Sequence, residues 1–305
     1  MGKWRKRAMP QFSDSTAESL SGARGASSPP QIQQERRALL PSGARTRLPA
    51  PVTAQIDQGF PSPAEKTAGG SSENQRHGVV FTMKQYTIHP AFSEPPWDFA
   101  WDSPIWRKAE SAVVAHPDPS SKPPFPQVQC KVLHDDAFLY GLYRVQDQSI
   151  LAARTEYNAE VCRDSCVEFF FRPLPDRGYF NLEMSASGAH LLYYVRDWTP
   201  VGEYYRDFDE VPPEDGMQFE TRSSLPAPIL QEQHCALTWF MQFRVPLAVV
   251  EKYLGSPLGT LSGQRWRGNF YKCGDDLAAP HWLEWSPVPT LNFHQPEYFG
   301  EFILE

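Results

Sequence analysis

Two antiparallel β-sheets packed face to face are what residues 83–305 predict, and three observations carry that all-β assignment. Short runs of β-branched and aromatic residues follow one another, turn residues separate them, and almost no stretch sustains an apolar period of 3.6. About ten strands with so little helix hide their apolar faces best as a two-sheet sandwich, with a closed barrel as the alternative.

The runs fall at 113–115, 128–133, 138–145, 167–172, 179–184, 190–195, 217–221, 237–245, 265–272 and 298–304. His134-Asp135-Asp136, Asp176-Arg177-Gly178 and Ser187-Gly188 supply turn chemistry and predict hairpins on either side. One helix is expected from Pro246-Leu247 to Leu254, with Pro at its start and Gly255 at its stop, and a second short turn at 104–109. The long stretches 147–163, 197–216 and 274–296 are expected as loops, where function tends to sit.

Composition divides the 305 residues near Met83. Residues 1–82 hold four aromatics and no cysteine, against 36 aromatics and all five cysteines in the remainder. A Ser-, Pro-, Gly- and Gln-rich segment without period cannot bury enough apolar surface to offset chain entropy, so 1–82 is expected to be a disordered extension. Its basic head (Lys3, Arg5, Lys6, Arg7) suits a targeting segment; the alternative is a working start at Met83. No apolar run follows that head to make a signal peptide, no membrane span is evident, and Lys6 spoils a myristoylation signal. The expectation is a cytoplasmic protein.

Charge divides at the same place. Residues 1–82 carry 11 Lys and Arg against 6 Asp and Glu, leaving 18 against 30, a net of −12, for the rest. So acidic a domain is a poor partner for nucleic acid. Five cysteines, with Cys162 and Cys166 lacking a second metal-spaced pair, predict free thiols rather than disulfides or a metal site.

Glu168 is the anomalous residue. In the run from Cys166 to Phe171, alternation puts Val167, Phe169 and Phe171 on one face and Cys166, Glu168 and Phe170 on the other. A buried carboxylate needs a partner, a proton or a ligand. Along 265–272, Trp266, Gly268, Phe270 and Lys272 share one face, and Arg267, Asn269 and Tyr271 share the other and can project toward Glu168, with Arg267 as counter-charge. A structural ion pair is the simpler alternative. Trp198, Tyr204, Tyr205 and Phe208 stand among seven acids between Asp197 and Asp215, a mixture suited to sugars, which offer an apolar C–H face and a rim of hydroxyls, and equally to a solvated loop. Glu168 and Glu183 lie on one predicted hairpin and make a glycosidase-like pair if they face the same side. No serine-hydrolase elbow, zinc-protease, phosphate-loop or dinucleotide motif is present.

Taken in order, Val132-Leu133-His134-Asp135-Asp136-Ala137-Phe138-Leu139-Tyr140, the run Asp164 to Phe171, the hairpin Tyr179 to Gly188, then Trp239 to Pro246, Trp266 to Tyr271 and Glu297-Tyr298-Phe299-Gly300 resemble the family 9 carbohydrate-binding modules. The resemblance implies a jelly-roll, DOMON-like β-sandwich over nearly all of 83–305. It implies a non-catalytic domain that binds sugar ends or short glycans in carbohydrate catabolism, often beside a glycoside hydrolase. No cofactor is implied beyond structural calcium in some members; haem in related sandwiches would need an axial pair such as Met184 and His190. In such modules two aromatics sandwich the sugar while a carboxylate and a basic residue bond it. Glu168 matches the carboxylate, Phe293 the second aromatic and Asn269 a strand Asn, whereas Cys162 stands where the first aromatic belongs and Glu183 near the basic position. Tyr157, Trp198 or Trp285 are the rings that could restore stacking. The contact set expected from this resemblance is Glu168, Asn269, Arg267 and Tyr271 with Phe293, Trp285 and Trp198; the alternatives are a glycoside hydrolase using Glu168 and Glu183 and an orphan sandwich without a sugar site.

Overall fold

The computed structural model describes residues 83–202 and 204–305. The expected extension at 1–82 and its boundary lie outside them. Fourteen strands follow in chain order: β1 (Gln85–Pro90), β2 (Ala112–Val114), β3 (His116–Pro117), β4 (Gln127–His134), β5 (Phe138–Ala152), β6 (Cys166–Arg172), β7 (Tyr179–Ser185), β8 (His190–Val201), β9 (Tyr204–Glu210), β10 (Glu220–Ser223), β11 (Ile229–Pro246), β12 (Arg265–Cys273), β13 (Trp282–Glu284) and β14 (Gly300–Leu304). Two α-helices accompany them, α1 (Pro213–Gly216) and α2 (Leu247–Leu254).

The strands form two sheets joined by β1. One runs β10-β11-β5-β4 with β2 beside β4, and the other β14-β12-β6-β7-β8-β9 with β13 beside β12. β1 lies parallel to β14 from Gln85 to Ile88, then crosses to β4 at His89 and Pro90. The path stays open, ending on β9 and β10, so the sandwich forms rather than the closed barrel. Among the described residues no helix is long and apolar enough to cross a membrane.

Local chemistry explains the connections. In the β4–β5 turn, Asp135 Oδ1 accepts the backbone N–H groups of Ala137 and Phe138 and Oδ2 accepts the Tyr140 hydroxyl, closing the hairpin as expected. Gly188 takes a φ of 91° between β7 and β8, a left-handed conformation that costs glycine little. α2 starts after Pro246 and stops at Gly255, whose φ is 71°.

Between the sheets, alternation holds as read. Val167, Phe169 and Phe171 enter the main core with Phe243, Phe270 and Phe302, while Cys166 and Phe170 turn outward into a second cluster with Tyr179, Tyr271, Cys273 and Phe293. Gly268 lets the layers close: a Cβ there would stand 2.1 Å from the Phe302 ring and 2.5 Å from the Phe170 carbonyl oxygen. Gly268→Ala is expected to lower unfolding free energy by about 1–3 kcal/mol in urea titration, since backbone cannot yield as a side chain can. A loss below about 0.5 kcal/mol would show that the strands part easily here.

Four expectations are corrected. The loop expected at 147–163 begins later, because β5 and β11 pair along nearly their whole length across two irregularities. The loop expected at 197–216 contains the end of β8 and all of β9, whose register shifts break the period of two that would have betrayed a strand. The strand expected at 217–221 starts at Glu220, because α1 and its turn take up the preceding residues. The loop expected at 274–296 contains β13, which is too short to show a period; β3, equally short, and β1, which pairs only with chain far away in sequence, are strands the sequence did not suggest.

Candidate ligand-binding site

The outer face of the second sheet carries a row of acids. β13, β12, β6, β7 and β8 place Glu284, Tyr271, Glu168, Glu183 and Leu191 directly opposite one another. Directly opposed residues share a face with Cβ atoms about 5 Å apart. Glu168 and Glu183 are therefore immediate neighbours, 3% and 7% exposed. The neighbouring row sets Trp282, Cys273, Cys166 and Ser185 abreast, and the row on the other side Asn269, Phe170, Asn181 and Tyr193.

The acids receive little compensation. Cys273 Sγ donates to Glu168 Oε1 at 3.0 Å and Asn181 Nδ2 to Glu183 Oε1 at 3.0 Å. Glu183 Oε2 has no hydrogen-bond partner. Among the described residues no Lys or Arg pairs with either acid: Arg154 and Arg163 are taken by Asp164, Glu160 and Asp276, and buried Lys272 lies across the sheet near Asp147 and His281. Burial first, then the Glu183 charge, holds the Glu168 carboxyl well above the usual range. Burial raises Glu183 to about 7 and Asp275 to about 6, the latter against a hydrogen bond from Trp282 Nε1. Glu284 is likewise pushed up to about 7 by burial.

Aromatic side chains wall this face. The Tyr271 and Phe293 rings stack at 3.9 Å and 12°, and the Tyr271 hydroxyl donates to the Phe293 carbonyl at 3.0 Å. His294 lies against Phe170, Tyr179 and Tyr205, with Nδ1 2.8 Å from the Tyr179 hydroxyl. Trp282 and Cys162 pack on the cluster half-buried, at the end nearest Cys273.

Of the expected contact residues, Glu168, Tyr271 and Phe293 come together. Asn269 lies one row away, its amide spent on Ser286 and the Phe270 N–H, where it pins the chain leading to Phe293. Arg267 is not the counter-charge of Glu168. The register sets it opposite Arg172, and its guanidinium donates to the carbonyls of Gly300, Glu297 and Phe299. Trp285 is no stacking surface either, since it turns into the inter-sheet core against Tyr86, Phe270 and Phe302. Trp198 lies further along β8, its ring covered by the Arg172 guanidinium at 5.1 Å and 6.1 Å from Tyr179. Tyr157 bonds the Val211 carbonyl and joins the other cluster. His190 is occupied by Thr221 and Gly216 while Met184 lies in the core, so they form no axial pair. Trp282 and Cys273 were missed as site residues, since only the pairing of β13, β12 and β6 brings them beside Glu168.

The fold and this face define a β-sandwich module whose outer sheet surface combines carboxylates with rings. The family model for carbohydrate-binding family 9 matches residues 107–304, and the chain belongs to that family. Among solved structures, it resembles a candidate carbohydrate-binding protein from Bacteroides uniformis ATCC 8492 at 25% identity and a TM-score of 0.63, covering 73% of this chain and 100% of that one. Family 9 modules from Caldicellulosiruptor kristjanssonii in complex with cellotriose and with glucose match at 19% identity and TM-scores of 0.46, over 73% and 72% of this chain and 94% and 95% of theirs. No curated protein matches.

Proposed function

We propose that residues 107–304 act as a non-catalytic carbohydrate-binding module that takes a sugar end on the outer face of β6, β7 and β12. The observation that carries the reading is the pair of neighbouring acids without a cation, Glu168 and Glu183, on a face walled by Tyr271, Phe293 and Trp282. One acid holding its proton beside one without offers both a donor and an acceptor to vicinal hydroxyls, and a ring offers contact to the sugar's C–H face. Trp282, half-buried on the same cluster as Cys162, is the platform in this reading and takes the part of the aromatic that Cys162 replaces. A role beside a glycoside hydrolase in carbohydrate catabolism extends the reading, supported by membership of carbohydrate-binding family 9 alone. Five free cysteines support a reducing, cytoplasmic setting.

Calorimetric titration with a panel of mono- and oligosaccharides tests it. At least one sugar is expected to bind with Kd of about 1 mM or tighter, and Trp282→Ala to weaken it about tenfold, equivalent to ~1.4 kcal/mol. Should no sugar bind folded protein at such concentrations, the sugar reading is lost.

A further inference from the structure

We propose that Cys166, Cys273 and Glu168 hold one divalent cation of the zinc class, with the Glu183 carboxylate beside Glu168 adding negative charge to the site. The Sγ atoms of the two cysteines and a carboxylate oxygen of Glu168 lie within 4.8 Å of one another. Tetrahedral Zn–S bonds of about 2.3 Å set two sulfurs about 3.8 Å apart, so binding draws the three donors together by about 1 Å at most. Rigid elements set it: Cys166 and Cys273 are directly opposed across β6 and β12, and Glu168 follows two residues along on the same face.

A second, independent observation points into the site. Glu183 stands opposite Glu168 on β7, is 7% exposed, and its Oε2 has no partner. An unpaired buried carboxylate oxygen beside two thiols and a second acid, with no Lys or Arg bonded to either acid among the described residues, is a set of donors lacking only a cation. The hydrogen bond from Cys273 Sγ to Glu168 Oε1 holds two of them in place. Binding takes up M²⁺ and releases to solvent both thiol protons and any proton carried by the Glu168 carboxyl, with no change of oxidation state. Paired thiolates and carboxylates favour zinc over calcium or magnesium, which take oxygen ligands. Sequence spacing concealed the site, because the two cysteines come from strands more than a hundred residues apart.

The metal would occupy Glu168, which the sugar reading also uses, and the test for metal needs no sugar. Full-length protein, reduced with a phosphine and stripped with chelator, is titrated with Co²⁺, then exchanged with Zn²⁺ and assayed for metal. The expected result is one metal per chain, with a thiolate-to-cobalt charge-transfer band that zinc abolishes. Cys273→Ser and Cys166→Ser should each lose the band, whereas Cys235→Ser, which removes an exposed thiol, should keep it. Glu183→Gln preserves side-chain shape and should retain the band while weakening affinity about 10- to 100-fold. Absence of the band in folded, fully reduced wild-type protein overturns the proposal. So does a band that survives in folded Cys273→Ser.

Discussion

Phe169→Ala is expected to lower the unfolding free energy by about 3–5 kcal/mol, the largest loss any single truncation should cause in this domain. Phe169 is fully buried, and its ring lies 5.0 Å from Phe171, 5.4 Å from Phe243, 5.5 Å from Phe270 and 5.8 Å from Phe302. Those partners come from β6, β11, β12 and β14, hence from both sheets. Removing the ring takes away its transfer free energy and leaves a cavity that four rings cannot fill without leaving their rotamers. In a domain of this size the loss corresponds to a fall in Tm of roughly 10 °C. Urea unfolding followed by circular dichroism measures it. A loss under about 1.5 kcal/mol would mean that the core repacks freely around position 169.

Glu183→Gln is expected to do the opposite in metal-free protein, stabilising it at pH 8 by on the order of 3 kcal/mol and leaving it almost unchanged at pH 4. Burial raises the Glu183 carboxyl to about 7 from its ordinary 4.5. Between those pH values the folded state holds a proton on Glu183 that the unfolded state has released, so the contribution of Glu183 to unfolding free energy falls as pH rises from about 4.5 and levels off above about 7. Glutamine removes that dependence, keeps an acceptor for Asn181 and turns an N–H donor toward Glu168. Glu168, held well above its ordinary range, Glu284, raised to about 7, and Asp275, raised to about 6, leave slopes of the same sign in the variant, and Glu284→Gln should reduce the remainder. His281, held down to about 3 by burial, contributes the reverse slope between about 3 and 6.5, because its unfolded form binds the proton first. Stability against pH for wild type and variant, both in chelator, decides the matter. Parallel curves would show that Glu183 ionises as freely in the fold as outside it.

The two expectations rest on parts of the chain that were unequally legible. Phe169 could be placed by counting, since side chains alternate across a strand whatever its partners are, and Val167, Phe169 and Phe171 form an unbroken apolar face. Helix α2 was legible for a similarly local reason, with Pro before it and Gly after it. The acid pair was half legible: Asp176-Arg177-Gly178 marked the hairpin, but which residue of β7 opposes Glu168 depends on how many residues the turn consumes. β9 was not legible, because an edge strand with irregular register and with Asp207 and Asp209 bonded to Arg196 at the surface has the composition of a solvated loop.

The sequence alone therefore determined the class of fold, the family and the face on which Glu168 lies. All three depend on period, turn chemistry and the order of short motifs, which are local properties of the chain. Tertiary structure decided which side chains meet. It turned Trp285 inward against Phe302, spent Arg267 on the carbonyls where β14 begins, and brought Cys273 to Cys166 and Glu168. A pairing register joins strands far apart in sequence, and a shift of one residue moves every side chain to the opposite face.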